Sequence, residues 1–538
     1  MSQSTPVDPS VQVAPTSENA SLLHGGQAAA AGKTKLIVLG VAAVAAVGTG
    51  IYFIAKPSTA SAAIVAPVVG DGFNATSTTT TVSPSTTLSP VATSMTPVVS
   101  TTTAAVVAQG PPTSDPEAMT PALTLLAIGD WGSTTGKQWG VAGSCCHVYN
   151  GQVDKNQPRY MVDYYSQNYV ATLMAQSAVQ LKPKPARIVG HGDNFYWNGI
   201  GPADAAYRFQ ETFEKMYNQP ELAGIKWINV IGNHDIGGSS YICGEQDNQF
   251  RECASTDEMI KYLRSHFDLQ AKYKSPNQDR WVMKDHYYVE RVTQNGVTVD
   301  IFNLDTNHAD SHGARQVCCQ CYGYSAKFGV SNANCNNVNG GDQQCMGGNV
   351  DMFNACMNEI EAWATDSYTQ ALRDMAASSA DFKIINTHYS PHHHMAPAKM
   401  QKWYDLTKDM GITAWFNGHT HGFSHDISTW GTHFFENGGG GGIYTDSDSA
   451  TNNGFVSNKW VGAGTPYGYM ELSFSKDWLK VQFATFDKAW TFGGMDMTKT
   501  VPGGIQRGHC WYIPHVNATG PGVECKASIN YAVGAPLR

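Results

Sequence analysis

The chain has 538 residues, with 35 Lys and Arg against 44 Asp and Glu, for a formal net charge of −9. That length allows roughly three or four domains of about 100–200 residues, and the mildly acidic balance excludes the basic footprint that nucleic-acid binding needs. Charged residues are only 15% of the total, below the roughly 25% usual for globular chains, and the shortfall is local.

Residues 1–35 are polar and small, with almost no bulky apolar side chains, and read as a disordered cytoplasmic tail ending in Lys33 and Lys35. Leu36 to Ala55 is an uncharged apolar run closed by Lys56. At about 1.5 Å per residue it matches a hydrocarbon core of roughly 30 Å. A cleaved signal peptide would carry a shorter apolar core and leader, although the small residues Ser58 to Ala63 leave a cleavage site open. The lysine-flanked side stays cytoplasmic. The expectation is therefore a single-pass type II signal anchor, with the remainder extracellular or in a secretory or vacuolar lumen. Residues 56–120 are rich in Ser, Thr and Pro and read as an extended, O-glycosylated stalk. Asn74-Ala-Thr and Asn517-Ala-Thr are N-glycan acceptor tripeptides.

All 12 cysteines lie beyond the stalk, between Cys145 and Cys525. An even count on the side expected to be oxidising predicts disulfides. Six of them crowd into Cys318–Cys356 among Asn, Gly and Gln, so residues 306–359 read as a stapled insertion. A zinc knuckle at Cys318-Cys319-Gln320-Cys321 lacks paired spacing to other ligands.

Residues 121–538 alternate short apolar strands with helical patterns, which predicts an α/β domain with its ligands at the carboxyl ends of strands. Strands are expected at Leu123–Ile128, Arg187–Val189, Ile225–Ile231, Val297–Leu304, Phe382–Asn386 and Gly411–Phe416, and helices at Tyr160–Leu181 and near Met357–Ala376. Five strand ends then carry chemistry: Gly129-Asp130-Trp131-Gly132, Gly192-Asp193-Asn194-Phe195-Tyr196, Gly232-Asn233-His234-Asp235, Asn386-Thr387-His388-Tyr389 and Gly418-His419-Thr420-His421. Each alone reads as a turn or a cap. Together they hold Asp, Asn, His and Tyr without Lys or Arg, and such groups need a cation to make their burial tolerable.

This set resembles the calcineurin-like metallophosphoesterases and, within them, the purple acid phosphatases. Gly192–Gly199 and Arg208–Glu214 are similar to the small animal-type, tartrate-resistant enzymes. The resemblance covers about 121–490, interrupted by insertions near 143–158, 237–256 and 306–359. It implies a four-layer α/β/β/α sandwich and a dinuclear centre. Asp130, Asp193, Tyr196 and His421 would hold Fe(III). Asp193 would bridge to a divalent iron, zinc or manganese that is also held by Asn233, His388 and His419. Tyr196 is the discriminating residue, since a Tyr–Fe(III) charge-transfer band gives the family its colour.

The implied activity is hydrolysis of small phosphate monoesters at acid pH, by direct attack of a metal-bound hydroxide. His234 would steady the transition state or protonate the leaving group. Asp235 reads either as its orienting partner or as a turn residue. The family also places an outer histidine beyond the position of His388, where this chain has Pro397. His392, His393 and His394 stand nearby, and His393 and His394 are the candidates for contact with substrate phosphate, against the reading of a surface cluster. The insertion at 306–359 is expected to gate the site. The run Gly438–Gly442 reads as a flexible loop beside the site rather than a phosphate cradle, and His191, His286, His425 and His433 as packing or surface residues. A phosphodiesterase or nucleotide pyrophosphatase on the same scaffold, and a non-catalytic cell-surface binding module, are the alternatives. Nothing in the pattern fixes an oligomeric state.

Overall fold

The computed structural model describes residues 112–132, 166–486 and 504–528, apart from 239, 247–248, 444, 446–449 and 517–519, and two short strands at 148–149 and 152–153. The tail, the apolar run Leu36–Ala55, the stalk up to residue 111, Cys145, Cys146, Asn74 and Asn517 lie outside the described residues. Among the described residues, no helix is long and apolar enough to cross a membrane. Contacts with the domain are made ahead of the first strand: the Ser114 amide and hydroxyl both donate to Asp477 Oδ2, at 3.1 and 2.6 Å.

Among the described residues the strands are, in chain order, β1 (Leu123–Ile128), β2 (Val148–Tyr149), β3 (Gln152–Val153), β4 (Arg187–Gly190), β5 (Lys226–Asn229), β6 (Trp281–Val282), β7 (Tyr287–Gln294), β8 (Val297–Leu304), β9 (Phe382–Asn386), β10 (Ala414–Asn417), β11 (Phe423–Ser428), β12 (His433–Asn437), β13 (Val456–Val461), β14 (Gly468–Phe474), β15 (Trp478–Phe486), β16 (Ile505–Pro514) and β17 (Val523–Glu524). Four long helices matter here: α1 (Ser166–Gln180), α2 (Thr256–Ala271), α3 (Val350–Ala377) and α4 (Pro397–Asp409). One sheet has the order β17-β16-β15-β14-β1-β4-β5-β6 and the other β13-β11-β12-β10-β9-β8-β7. The central pairs β1–β4–β5 and β8–β9–β10–β12 are parallel.

Strand alternation sorts the apolar residues into layers. Leu123, Leu125 and Ala127 join Val189, Ile228, Ile301, Ile384 and Phe416 in the core between the sheets. Leu126 and Ile128 turn the other way and cluster with Leu173 and Met174 of α1 and Leu263 of α2. Ile385 and Trp415 face outward from the second sheet onto Trp403 and Leu406 of α4 and Met375 of α3. Burial on both faces explains why these strands read as nearly unbroken apolar runs, and each such side chain contributes roughly 1.5–3 kcal/mol. The result is a mixed α/β fold in which two sheets pack together and helices cover their outer faces.

Helix α3 begins two turns before the expected Met357, and so runs through the 359 boundary assigned to the insertion. Asn349 caps it, its side chain accepting from the Met352 amide at 3.0 Å, and the Cys318–Cys356 disulfide ties the early turns down. The other disulfides are Cys243–Cys253, Cys319–Cys345, Cys321–Cys335 and Cys510–Cys525. Cys318, Cys319 and Cys321 each pair with a different partner, which leaves no zinc knuckle.

Candidate metal centre

The loops after β1, β4 and β5 of one sheet meet those after β9 and β10 of the other. They meet at the carboxyl ends of parallel strands, where open α/β sheets place ligands. Ligand atoms of Asp130, Asp193 and His421 lie within 4.8 Å of one another, as do those of Asp193, His388 and His419. Asp193 belongs to both groups. Tyr196 Oη donates to Asp193 Oδ2 at 2.9 Å and lies 3.0 Å from Asp130 Oδ1 and 3.4 Å from His421 Nε2. On the other side, Asn233 Oδ1 is 3.1 Å from both His388 Nε2 and His419 Nδ1. The geometry therefore brings together all seven residues expected as metal ligands.

The local backbone serves this convergence. Asp130, Asp193 and His419 sit at φ of 53°, 51° and 72°, a left-handed conformation that costs of order 1–3 kcal/mol and persists only where the surroundings impose it. Gly192, at φ +88°, lies so close to the next loop that a Cβ there would be 2.8 Å from both the Gly232 nitrogen and His388 Nδ1.

Supporting contacts fix which ring atom faces inward. His388 Nδ1 donates to the His191 carbonyl at 2.8 Å, which turns Nε2 to the centre. The His191 ring lies between Asn386 Oδ1 (2.6 Å) and Asn437 Nδ2 (3.1 Å) and ties the two sheets together below the site. The His419 amide donates to both Asp130 oxygens, at 3.1 and 2.9 Å. His234 donates its amide to Asp193 Oδ1 at 3.0 Å and Nδ1–H to the Trp197 carbonyl at 2.6 Å, with its ring 4.5 Å from Tyr196. Asp235 takes the turn role: it accepts from the amides of Gly232, Asn194 and Phe195 at 2.8, 2.9 and 3.1 Å, and so locks two ligand loops together.

Electrostatics favour a cation here. Burial, and then Asp193, hold Asp130 well above the usual carboxylate range. Burial and the two carboxylates push the Tyr196 phenol well up. Burial lowers His421 to about 3 and His419 well below its ordinary value. Asp130 and the Tyr196 phenol are thus held toward their protonated forms beside the Asp193 carboxylate, and metal ions would favour their deprotonation. The donor set fits two different ions: hard oxygens around Tyr196, and amide oxygen with two imidazoles around Asn233.

The candidate outer histidines separate. His394 packs its ring 4.6 Å from His419. His393 turns Nε2 toward Asp426 and Glu436, at 3.8 and 3.9 Å. His312 was missed from the sequence; its ring lies 5.8 Å from His419. It is one histidine in a stretch whose only pattern is cysteines, and nothing local marked it. The run Gly438–Gly442 is a loop beside the site, as expected, but a buried one. It is a buried strap whose Gly440 and Gly442 amides donate to the Gly129 and Asp130 carbonyls, both at 3.0 Å. A Cβ at Gly438 would come within 2.1 Å of the Thr420 carbonyl.

The calcineurin-like phosphoesterase family profile matches residues 123–423. The tartrate-resistant acid phosphatase type 5 of Sus scrofa is 27% identical over 201 residues, 37% of this chain and 43% of that protein. The match thus spans less than half the length of this relative. Among solved structures, the anchor in the inner membrane complex of Plasmodium aligns at TM-score 0.42 and 14% identity, over 75% of this chain and 91% of its own. Purple acid phosphatase from yellow lupin (Lupinus luteus) seeds aligns at TM-score 0.35 and 12% identity, over 68% and 51%. With the family profile covering β1, β4 and β5 of one sheet, β8, β9 and β10 of the other and every loop that meets at Asp193, the chain belongs to the calcineurin-like phosphoesterase family.

Proposed function

We propose that the chain is an acid phosphatase that hydrolyses small phosphate monoesters at a dinuclear Fe(III)–M(II) site, M being iron, zinc or manganese. One observation carries this reading: Asp193 is common to two ligand groups, and Tyr196 Oη sits against the carboxylates of one of them. Asp130, Asp193, Tyr196 and His421 would hold the ferric ion, and Asp193, Asn233, His388 and His419 the divalent ion. When bound, such a pair supplies Lewis acidity, a lowered pKa for water and neutralisation of phosphate charge.

The chain's own residues supply position and protons. His191 and Asp130 hold His388 and His419 in place through the contacts above. With His234 Nδ1 engaged as a donor to Trp197, proton transfer to the leaving alcohol falls to Nε2. His394 and His312, whose rings lie 4.6 and 5.8 Å from that of His419, would meet phosphate oxygens. The run Leu36–Ala55 and the residues after it would anchor and extend the enzyme on a membrane, with the catalytic domain on the extracellular or luminal side.

The test compares hydrolysis of p-nitrophenyl phosphate with that of bis(p-nitrophenyl) phosphate at acid pH. The proposal expects the monoester to be the faster substrate. A faster diester would indicate a phosphodiesterase, and no hydrolysis of either by metal-loaded protein would indicate a binding module.

A further inference from the structure

We propose that His392, His393 and Asp426 form a second, separate metal site that takes one divalent transition-metal ion such as zinc, with Glu436 as its fourth ligand. The two histidines sit on the short helix Pro391–His394, between β9 and α4. The β11–β12 register pairs Ser424 with Glu436 and Asp426 with Phe434, so Asp426 and Glu436 share one face of the sheet. His392 packs on that face, its ring 5.1 Å from Phe434.

The donor atoms converge at ligand spacing. His392 Nε2 lies 3.2 Å and His393 Nε2 3.8 Å from Asp426 Oδ2, and His393 Nε2 is 3.9 Å from Glu436 Oε1. The ligand atoms of His392, His393 and Asp426 all lie within 4.8 Å of one another. Donors around one ion at bonds of about 2.0–2.2 Å are roughly 3–4 Å apart.

Neighbours aim both carboxylates as supporting residues do at metal sites. Asn458 Nδ2 donates to Asp426 Oδ1 at 2.9 Å, which sets Oδ2 toward the imidazoles. Thr420 Oγ1 donates to Glu436 Oε2 at 3.2 Å, as does Asn417 Nδ2, which sets Oε1 toward His393. The side chains of His392, Asp426 and Glu436 are 1%, 1% and 2% exposed. Among the described residues, no Lys or Arg lies within ion-pair distance of Asp426. Two buried carboxylates beside two imidazoles form a donor set that suits a divalent cation. Thr451 Oγ1, 3.3 Å from His393 Nε2, would move aside or join the ion.

No ligand is shared with the Asp193 groups. Thr420, between His419 and His421, is the link to them through its hydrogen bond to Glu436.

The test uses the full chain stripped with a chelator and dialysed against zinc, with bound metal counted. Asp426→Asn is expected to bind one equivalent fewer than the unmodified chain. Zinc is expected to raise the melting temperature of Asp193→Asn, but not of Asp193→Asn/Asp426→Asn. If Asp426→Asn does not fold, His393→Gln serves in its place and should show the same loss. Equal zinc binding by the unmodified chain and the folded variant overturns the proposal. A failure of the dinuclear reading shows separately, as Asp193→Asn binding as much zinc as the unmodified chain.

Discussion

The chain buries histidines in two ways. In the candidate metal centre, His388 Nε2 and His419 Nδ1 point at one oxygen, Asn233 Oδ1, beside the carboxylate of Asp193. Elsewhere His433, His425 and His509 form a row: His425 meets His509 Nε2 with Nδ1 at 2.8 Å, and His433 Nδ1 with Nε2 at 2.9 Å. Opposite edges of one imidazole cannot reach the same ion. The row is a chain of rings bonded edge to edge, stacked on Phe435 and Trp460. Burial alone therefore says little about metal binding; convergence of nitrogens with an anion is what distinguishes the two.

The largest effect should come from breaking the convergent group. Asp193→Asn removes the carboxylate common to both ligand groups, and turnover on p-nitrophenyl phosphate should fall by about 10³-fold or more, together with the bound metal. The histidine row should be untouched, so the urea-unfolding midpoint at neutral pH should stay close to that of chelator-stripped parent protein. Full activity in a metal-depleted variant would contradict this assignment.

The row sharpens the comparison through pH. Burial lowers His433 from 6.5 to about 3, with the fields of His509 and Lys459 pushing the same way. Between those values the unfolded chain holds a proton that the folded chain does not. Its stabilising contribution is complete above pH 6.5 and is lost as pH falls toward 3, at about 1.4 kcal/mol per pH unit. His433→Gln should be less stable at neutral pH, for want of the hydrogen bond to His425, yet lose stability less steeply between pH 7 and 5. Urea unfolding at the two pH values measures that slope, and an unchanged slope would contradict the assignment.

The contrast also shows what a sequence reveals. Strands β1, β4, β5, β9 and β10 were legible because burial on both faces writes an apolar run, and a run that stops at Gly-Asp, Gly-Asn or Gly-His marks a ligand loop. Asp426 carries no such mark: it lies inside β11, and only the pairing with β12 brings it to His392 and His393. The histidine row is likewise a product of register, since His425 pairs with Phe435 in β12 and Trp460 in β13. Gly438–Gly442 is legible as a loop, since glycine-rich segments often are, but its burial is not. Here the glycines let a strap run against the Gly129–Asp130 backbone, a close approach that no local pattern encodes. The start of α3 was hidden by cysteines that read as insertion, although Asn349 is an ordinary cap.

The most direct test of the central claim is the metal content and visible spectrum of the purified chain. The account predicts iron with a second metal and a visible charge-transfer band that disappears in Tyr196→Phe while bound metal persists. Folded protein that is colourless and free of iron would contradict it.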